Sequence, residues 1–406
     1  MLAKHFGCCR FLYNYFLSYR KNEYEKGNKV SYLITQKELT KMKTQEQYSW
    51  LNEVSSQSLQ MAIQQLDDAY KKFFRQQGGY PNYKSKHSST QSCSFPQNVK
   101  LSGNRVYLPK FVKNGIKINI HRELPEGAII KQATITKKSN KYYIAITFDD
   151  NIPTPKPVVA QNSIGLDVGI NSLIATSKDV KVANPRYTKK YARMLKLASR
   201  HLSRKQHSRK KGDNTPKSKR YLKQQAKVAK IHEKIANSRS DYIHKITNEI
   251  TNQYDVICIE DLNVKGMIKN HKLSKHIADV AWGELRRQLE YKSERKGKFL
   301  ITVDRWLPSS QICSSCFSLT GKKPLNVRKF ICPICGTMHD RDVNAAKIIE
   351  YFGLLIFFAL GHDHNLSAGT VDYTRGEPSG GGSFSVLIEK LSSYGSMKRE
   401  APTFNK

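Results

Sequence analysis

Long apolar runs are missing from this 406-residue chain. The longest, YFGLLIFFALG at 351–361, falls well short of the about 20 residues that span a bilayer, so no membrane partner is expected. The opening stretch MLAKHFGCCRFLYNYFLSYRK has polar breaks and no small-residue cleavage site. No signal peptide is therefore expected, and the cytoplasm is the default location. Acidic residues are scarce as well: 33 Asp and Glu face 69 Lys and Arg, for a formal net charge of +36. Internal repeats are absent too. With 10% aromatics the composition is not that of a disordered tract. The cationic excess fits a polyanion partner better than generic basic solubility.

Cysteine is present in a telling arrangement. Eight occur, and four form two pairs: QICSSCF holds Cys313 and Cys316, ICPICGT holds Cys332 and Cys335. Fifteen residues separate the pairs, within the spacing range of a four-cysteine zinc site. Two such knuckles close tetrahedrally round one structural Zn²⁺ and leave no open position for chemistry. Two disulfides are the alternative, which a reducing cytosol disfavours. Cys8, Cys9, Cys93 and Cys258 lie among apolar or aromatic neighbours and read as packed small hydrophobes.

The texture changes several times along the chain. Residues 1–79 look helical, with apolar positions at mixed three and four spacing through SSQSLQMAIQQLDDAYKKFFRQ. GGYPNYKSK breaks this pattern. From about 92 to 150, RVYLP, GIKINIH and AIIKQATITKKSNKYYIAITFDD alternate like strands, and a Ser139-Asn140 turn suggests an antiparallel hairpin in a small barrel. NIPTPKPVVAQN reads as a semi-extended linker, and strands resume at 163. Lys189 to Lys245 holds nineteen Lys and Arg against three acids. Two helices separated by GDNTPKS are expected there, the second with Val228, Ile231, Ile235, Tyr242 and Ile246 on one stripe. Part of that charge is a solvated face, but its density favours phosphate contacts. Gly and Ser accumulate after about residue 366, and the last forty residues read as a mobile tail.

Acidic residues stand within, at the end of, and just before three apolar segments. Asp167 sits between Gly165 and Gly169 in SIGLDVGINSLIATS. YDVICIEDLNV ends in Glu260 and Asp261, and HDRDVNAAKIIEYF follows the second knuckle. In the last, Val343, Ala346 and Ile349 are helix-periodic, so Asp340 can cap a helix with Asp342 in its first turn. Two strands and a helix start would bring together Asp167, one of the Glu260–Asp261 pair, and Asp342. Three adjacent carboxylates cannot all stay ionised without cations. Two Mg²⁺ about 4 Å apart would satisfy them and drive in-line phosphodiester hydrolysis, one generating hydroxide and one stabilising the leaving 3′ oxygen. Each acid alone is more often a turn residue or cap. The two acids of the second strand point to opposite faces, both apolar, so this level of reading leaves the pair open.

Taken together, GLDVGIN, ICIEDLNV, the paired CxxC knuckles and HDRDVNAAKI resemble the RuvC-like nuclease core of the TnpB family, transposon-encoded RNA-guided DNA nucleases related to type V CRISPR effectors. FGCCRFLYN, HEKIANSRSDYIHKIT, AWGELRRQLEYK and KREAPTF extend the likeness over nearly the whole chain. The resemblance implies an α/β multidomain protein with an RNase H-like (RuvC) nuclease core, a helical lobe, a small β-barrel and a four-Cys zinc ribbon insert. It places a helical recognition lobe at 1–79 and a wedge-like barrel at 80–152. The core then occupies 163–312 with its basic helical hairpin at 187–250. The zinc ribbon spans 313–336, the last core segment 337–361 and the tail 362–406. It also assigns the catalytic carboxylates to Asp167, Glu260 and Asp342, which selects Glu260 over Asp261. The implied cofactors are one structural Zn²⁺ on the four cysteines and two catalytic Mg²⁺. The implied partners are a guide RNA from the transposon end and double-stranded target DNA, and the implied location is nucleoid-associated cytoplasm. Guidance by base pairing leaves the protein to grip backbone and a short flanking motif.

The chain departs from the family pattern twice. Family members usually carry a strand ahead of the FGCCRF helix, whereas Met1 falls almost on it, so the barrel is expected to lack its first strand, expose an edge and impair activity. The first knuckle ends CSSCF where glycine is usual. Phe317 is expected to distort that turn, zinc still binding, because glycine there permits a positive φ. A DNA-joining transposase and a catalytically impaired nucleic-acid-binding regulator of transposition are the competing functions. The acid order Asp, Glu, Asp speaks against the first, which typically places Glu last.

Overall fold

The computed structural model describes residues 1–366 apart from 87, 89, 112–113, 139–140, 206–217, 272, 325 and 363–365. The expected Ser139-Asn140 turn, most of GDNTPKS, and the tail after Leu366 lie outside the described residues. The chain divides into two compact units at Pro153 and Thr154, within the proline-rich stretch.

In the first unit, helices α1 (Leu2–Glu25), α2 (Tyr32–Thr44) and α3 (Ser56–Phe74) pack through Leu12, Phe16, Leu17, Met42, Leu59, Ile63 and Leu66, none more than 1% exposed. Full burial of each such side chain is worth about 1.5–3 kcal/mol. The core continues onto strands through Cys93, Phe95, Ala133 and Ile135. Strands β1 (Thr90–Phe95), β2 (Lys100–Ser102), β3 (Arg105–Tyr107), β4 (Ile116–Lys117), β5 (Ile129–Lys138) and β6 (Lys141–Asp149) form two antiparallel sheets, ordered β1-β5-β6 and β2-β3-β4. Among the described residues no ladder joins the two sheets.

The second unit is built on a five-stranded sheet. Its strands are β7 (Ser163–Val168), β8 (Ser172–Thr176), β9 (Lys181–Ala183), β10 (Val256–Glu260) and β11 (Phe299–Val303), in the order β11-β10-β7-β8-β9. β10 runs parallel to both β7 and β11, while β7, β8 and β9 are antiparallel in turn. This is the expected RNase H-like core. Helices α4 (Tyr187–Lys190), α5 (Ala192–Ser203) and α6 (Lys219–Gln253) intervene between β9 and β10. α7 (Val264–Ile268), α8 (Ser274–Val280) and α9 (Trp282–Arg295) then lead to β11. Ile164, Leu166, Ile257 and Ile259 bury one sheet face against Ile243, Ile246 and Ile250 of α6 and Leu285 and Leu289 of α9. The expected α6 stripe is buried only in part: Ile235 and Ile246 are covered, Val228, Ile231 and Tyr242 are half-buried, and Ile243, Thr247, Ile250 and Thr251 join them. The C-terminal half of α6 is pressed against both the sheet and α9, which covers a wider face than one stripe. Cys8, Cys9, Cys93 and Cys258 are all buried, as packed hydrophobes should be.

The opposite sheet face carries α10 (Arg341–Ala359). Before it, a short antiparallel hairpin pairs β12 (Lys329–Ile331) with β13 (Met338–Asp340). No described helix is long and apolar enough to cross a membrane.

Candidate active site

Side chains alternate along a strand, so Ser163, Gly165 and Asp167 share one face of β7, and Val256, Cys258 and Glu260 share one face of β10. Cys258 lies opposite Gly165 and Ile259 opposite Leu166, so the next step of the ladder sets Glu260 beside Asp167. That face is covered by α10, and two glycines let it come close. A Cβ on Gly165 would lie 2.0 Å from the Ala346 carbonyl oxygen, and one on Gly353 would lie 2.4 Å from Cys258 Sγ. Behind the site, the buried Glu350 carboxylate of α10 accepts from Ser163 Oγ at 2.6 Å and Lys178 Nζ at 3.2 Å, so the helix is also pinned by a satisfied charge. At its start the Asp340 side chain accepts from the backbone N–H groups of Asp342 (3.1 Å) and Val343 (3.2 Å). The expected cap is therefore present, and it leaves Asp342 in the first turn.

The electrostatics follow from this placement. Asp167, Glu260 and Asp342 are each half-buried. Asp167 is ringed by protein, and that desolvation, then the charges of Glu260 and Asp342, push its carboxyl up to about 7 against Arg341 and Lys181. Burial raises Glu260 too, opposed by a hydrogen bond from Ser309 Oγ at 2.6 Å. Asp342 meets Arg328 at 3.4 Å and Lys181 at 3.7 Å, and the same Lys181 ammonium sits 2.7 Å from Asp340. Asp261 belongs to different surroundings. It is held low, first by the Arg286 guanidinium at 2.5 Å and then, against some burial, by Arg305. Half-buried carboxylate donors, one driven toward protonation by burial and then by its acidic neighbours, suit a hard divalent cation such as Mg²⁺.

The cysteines form a tighter group: the four Sγ atoms lie within 4.8 Å of one another, the one such His, Cys, Asp or Glu set among the described residues. The knuckles match bond for bond. Phe317 N–H donates to Cys313 O and Gly336 N–H to Cys332 O, both at 2.9 Å. Cys313 N–H donates to Ser318 O at 3.0 Å, and Cys332 N–H to Thr337 O at 2.9 Å. The expected distortion at Phe317 does not occur. Phe317 takes φ +56° where Gly336 takes +70°, and its ring packs on Tyr351 of α10 with centroids 4.4 Å apart. Around Cys332 burial opposes ionisation, but donors from Cys335, Ser318 and Ile334 outweigh it and bring the thiol down to about 6. Four sulfur donors supplied with N–H groups fit a tetrahedral Zn²⁺.

Residues 143–271 match the IS605 OrfB family model described as "Probable transposase", 282–349 match "Cas12f1-like, TNB domain", and 1–29 match "Helix-turn-helix domain". A Streptomyces pristinaespiralis protein provisionally named RNA-guided DNA endonuclease is 37% identical, over 87% of this chain and 85% of its own length. InsQ of Escherichia coli K12, provisionally named in the same way, is 32% identical over 84% and 86%. The chain belongs to the TnpB family. Among solved structures, the cryo-EM structure of the Cas12f1–sgRNA–target DNA complex shares the fold, with a TM-score of 0.53 at 15% identity over 86% of this chain and 82% of that one.

In this TnpB-family chain, Asp167 and Glu260 fall in the first matched segment, and Asp342 and the four cysteines in the second. Sequence reasoning missed three polar neighbours of these groups: Ser309 on Glu260, Asn344 bonded to Ile312 O and Ser314 N–H, and His339, whose Nε2 lies 3.1 Å from Cys313 Sγ. Only His339 had a local signal, as a ligand-type residue beside the acidic cluster. On α5 and α6, Arg193, Lys196, Arg200, Lys223, Lys227 and Lys230 are exposed, a candidate track for a phosphate backbone.

Proposed function

We propose that the chain is an RNA-guided, metal-dependent DNA endonuclease of a transposable element, directed by an RNA from the element's own end to double-stranded DNA. What supports this reading is the β7–β10 register that sets Glu260 beside Asp167, with Asp342 in the first turn of the helix packed on the same face, in a chain of net charge +36; burial and these two acids together raise the Asp167 carboxyl. Asp167, Glu260 and Asp342 would hold Mg²⁺. Bound there, the ions would supply water activation and charge neutralisation at the leaving oxygen. The protein's own contribution is to keep three carboxylates on one side of a rigid sheet, with Asp342 fixed by its helix cap. The cationic helices grip backbone without reading sequence, which base pairing with the guide does instead. Zn²⁺ on Cys313, Cys316, Cys332 and Cys335 is structural and holds the ribbon folded.

The test is cleavage of a plasmid bearing the guide's target by the purified chain with its copurified RNA. Asp167→Ala, Glu260→Gln and Asp342→Ala should each abolish Mg²⁺-dependent cutting while RNA binding persists. If all three variants cut like the parent chain, the reading is wrong.

A further inference from the structure

The first cysteine knuckle is fastened to the carboxylate site on both sides. Ser309 lies four residues before Cys313, is 7% exposed, and donates its hydroxyl to Glu260 Oε1 at 2.6 Å. Asn344 lies two residues after Asp342 and is 1% exposed. Its Nδ2 donates to Ile312 O at 2.7 Å, and its Oδ1 accepts from Ser314 N–H at 2.8 Å, so it clamps the backbone on either side of Cys313. The Ser309 turn is held by its own backbone bonds, Ser309 N–H to Leu307 O at 2.8 Å and Gln311 N–H to Pro308 O at 2.7 Å.

We propose that Ser309 and Asn344 are positioning residues that tie Glu260 and Asp342 to the first knuckle, so that zinc occupancy sets the geometry of the cutting site. This rests on the function proposed above and assigns two further residues to it. An ionised carboxylate only accepts, so the Ser309 hydroxyl must be the donor. Its 2.6 Å length is that of a charge-assisted O–H···O⁻ bond. Held at Oε1, Glu260 keeps Oε2 oriented for a cation. Asn344 has both polar ends satisfied in a buried place, so the helix turn carrying Asp342 cannot shift without breaking bonds to the knuckle. Cysteine ligation fixes that knuckle's backbone. Emptying the zinc site therefore loosens Ile312 and Ser314, and through them Asn344 and the Ser309 turn.

The experiment uses the full chain with its copurified RNA and reads Mn²⁺ binding by electron paramagnetic resonance, alongside cleavage and zinc content. Loss of Mn²⁺ binding in Asp167→Ala defines the carboxylate site. Ser309→Ala should weaken Mn²⁺ at that site by about tenfold to a hundredfold, the usual effect of removing an outer partner of a metal ligand. Zinc should stay bound, and cleavage should recover at high metal. Ser309→Thr keeps the hydroxyl and should restore affinity. Asn344→Ala, and chelation of zinc from the parent chain, should weaken Mn²⁺ in the same way. Unchanged Mn²⁺ affinity in Ser309→Ala, or Ser309→Thr no better than Ser309→Ala, overturns the proposal. If Asp167→Ala leaves Mn²⁺ binding unchanged, the carboxylate reading of the cutting site is itself overturned, whatever Ser309 does.

Discussion

Replacing Gly165 by alanine tests how closely α10 lies on the sheet. The added Cβ would stand 2.0 Å from the Ala346 carbonyl oxygen and 2.7 Å from the backbone nitrogen of Glu350. Both are backbone atoms and cannot swing aside. To reach the 3.4 Å of ordinary contact the helix must retreat by about 1.4 Å. Overpacking of this kind costs about 1–3 kcal/mol, and with a backbone obstacle the upper end is expected. At about 2–4 °C per kcal/mol for a unit of this size, the melting temperature should fall by about 6–12 °C. Ala346 is one helical turn from Asp342, so the retreat carries Asp342 with it. A misplacement of about 1 Å can cost on the order of a hundredfold in rate, so cleavage should drop by that factor while RNA binding holds. Gly283→Ala is the control: nothing lies within 4 Å of its Cβ position in α9, and a stabilisation of about 0.4–1 kcal/mol is expected. Thermal melts and single-turnover cleavage of the three proteins decide the matter. A Gly165→Ala protein that melts and cuts like the parent would refute the close approach.

Other expectations follow from the same contacts. Asp261→Asn should leave most cutting intact and cost at most about 1 kcal/mol, since its arginine partners are substantially exposed; an inactive Asp261→Asn beside an active Glu260→Gln would reverse the assignment of β10. Cys332→Ser should release the zinc, expected at one per chain by elemental analysis, and unfold the ribbon locally; a zinc-free, fully active preparation would contradict this. Phe317→Ala keeps a strained φ and loses the Tyr351 contact, so it should destabilise by about 1–2 kcal/mol. Phe317→Gly should be near neutral, because it relieves strain of about 1–2 kcal/mol; identical melts for the two variants would remove the strain from the account. Without metal, stability should depend on Asp167. Its folded value near 7 exceeds the unfolded value near 3.9, so the native state binds the extra proton between them. Stability then falls as pH rises from about 4 to about 7, by up to about 4 kcal/mol, and levels off above. Asp167→Asn should lack this fall in EDTA melts, and parallel curves for the two proteins would contradict it.

That Asp167 meets Glu260 and Asp342 was legible because the first interrupts an apolar run, the second ends one and the third begins a periodic helix, and the helix cap at Asp340 because a short acid precedes that periodic segment. The choice between Glu260 and Asp261 was not legible from residue physics. It depends on Cys258 standing opposite Gly165 across 93 residues of chain, a register that no local pattern encodes. The same holds for Ser309 and Asn344, an ordinary loop serine and helix asparagine until the fold brings Glu260 and the knuckle to them. Phe317 shows the opposite limit. Glycine's conformational freedom led to an expected distortion at Phe317 that does not occur, because the ring's packing on Tyr351, a tertiary contact, accompanies the positive φ. The α6 stripe was read too narrowly because its buried width depends on how many neighbours the helix meets.

The most direct measurement exchanges the guide portion of the bound RNA for a new sequence and follows where purified chain cuts a plasmid carrying both targets in Mg²⁺. Cutting should move to the new target, stop in EDTA and be absent in Asp167→Ala. Cutting that stays at the old place, ignores the RNA, or survives loss of Asp167 would contradict the proposed function.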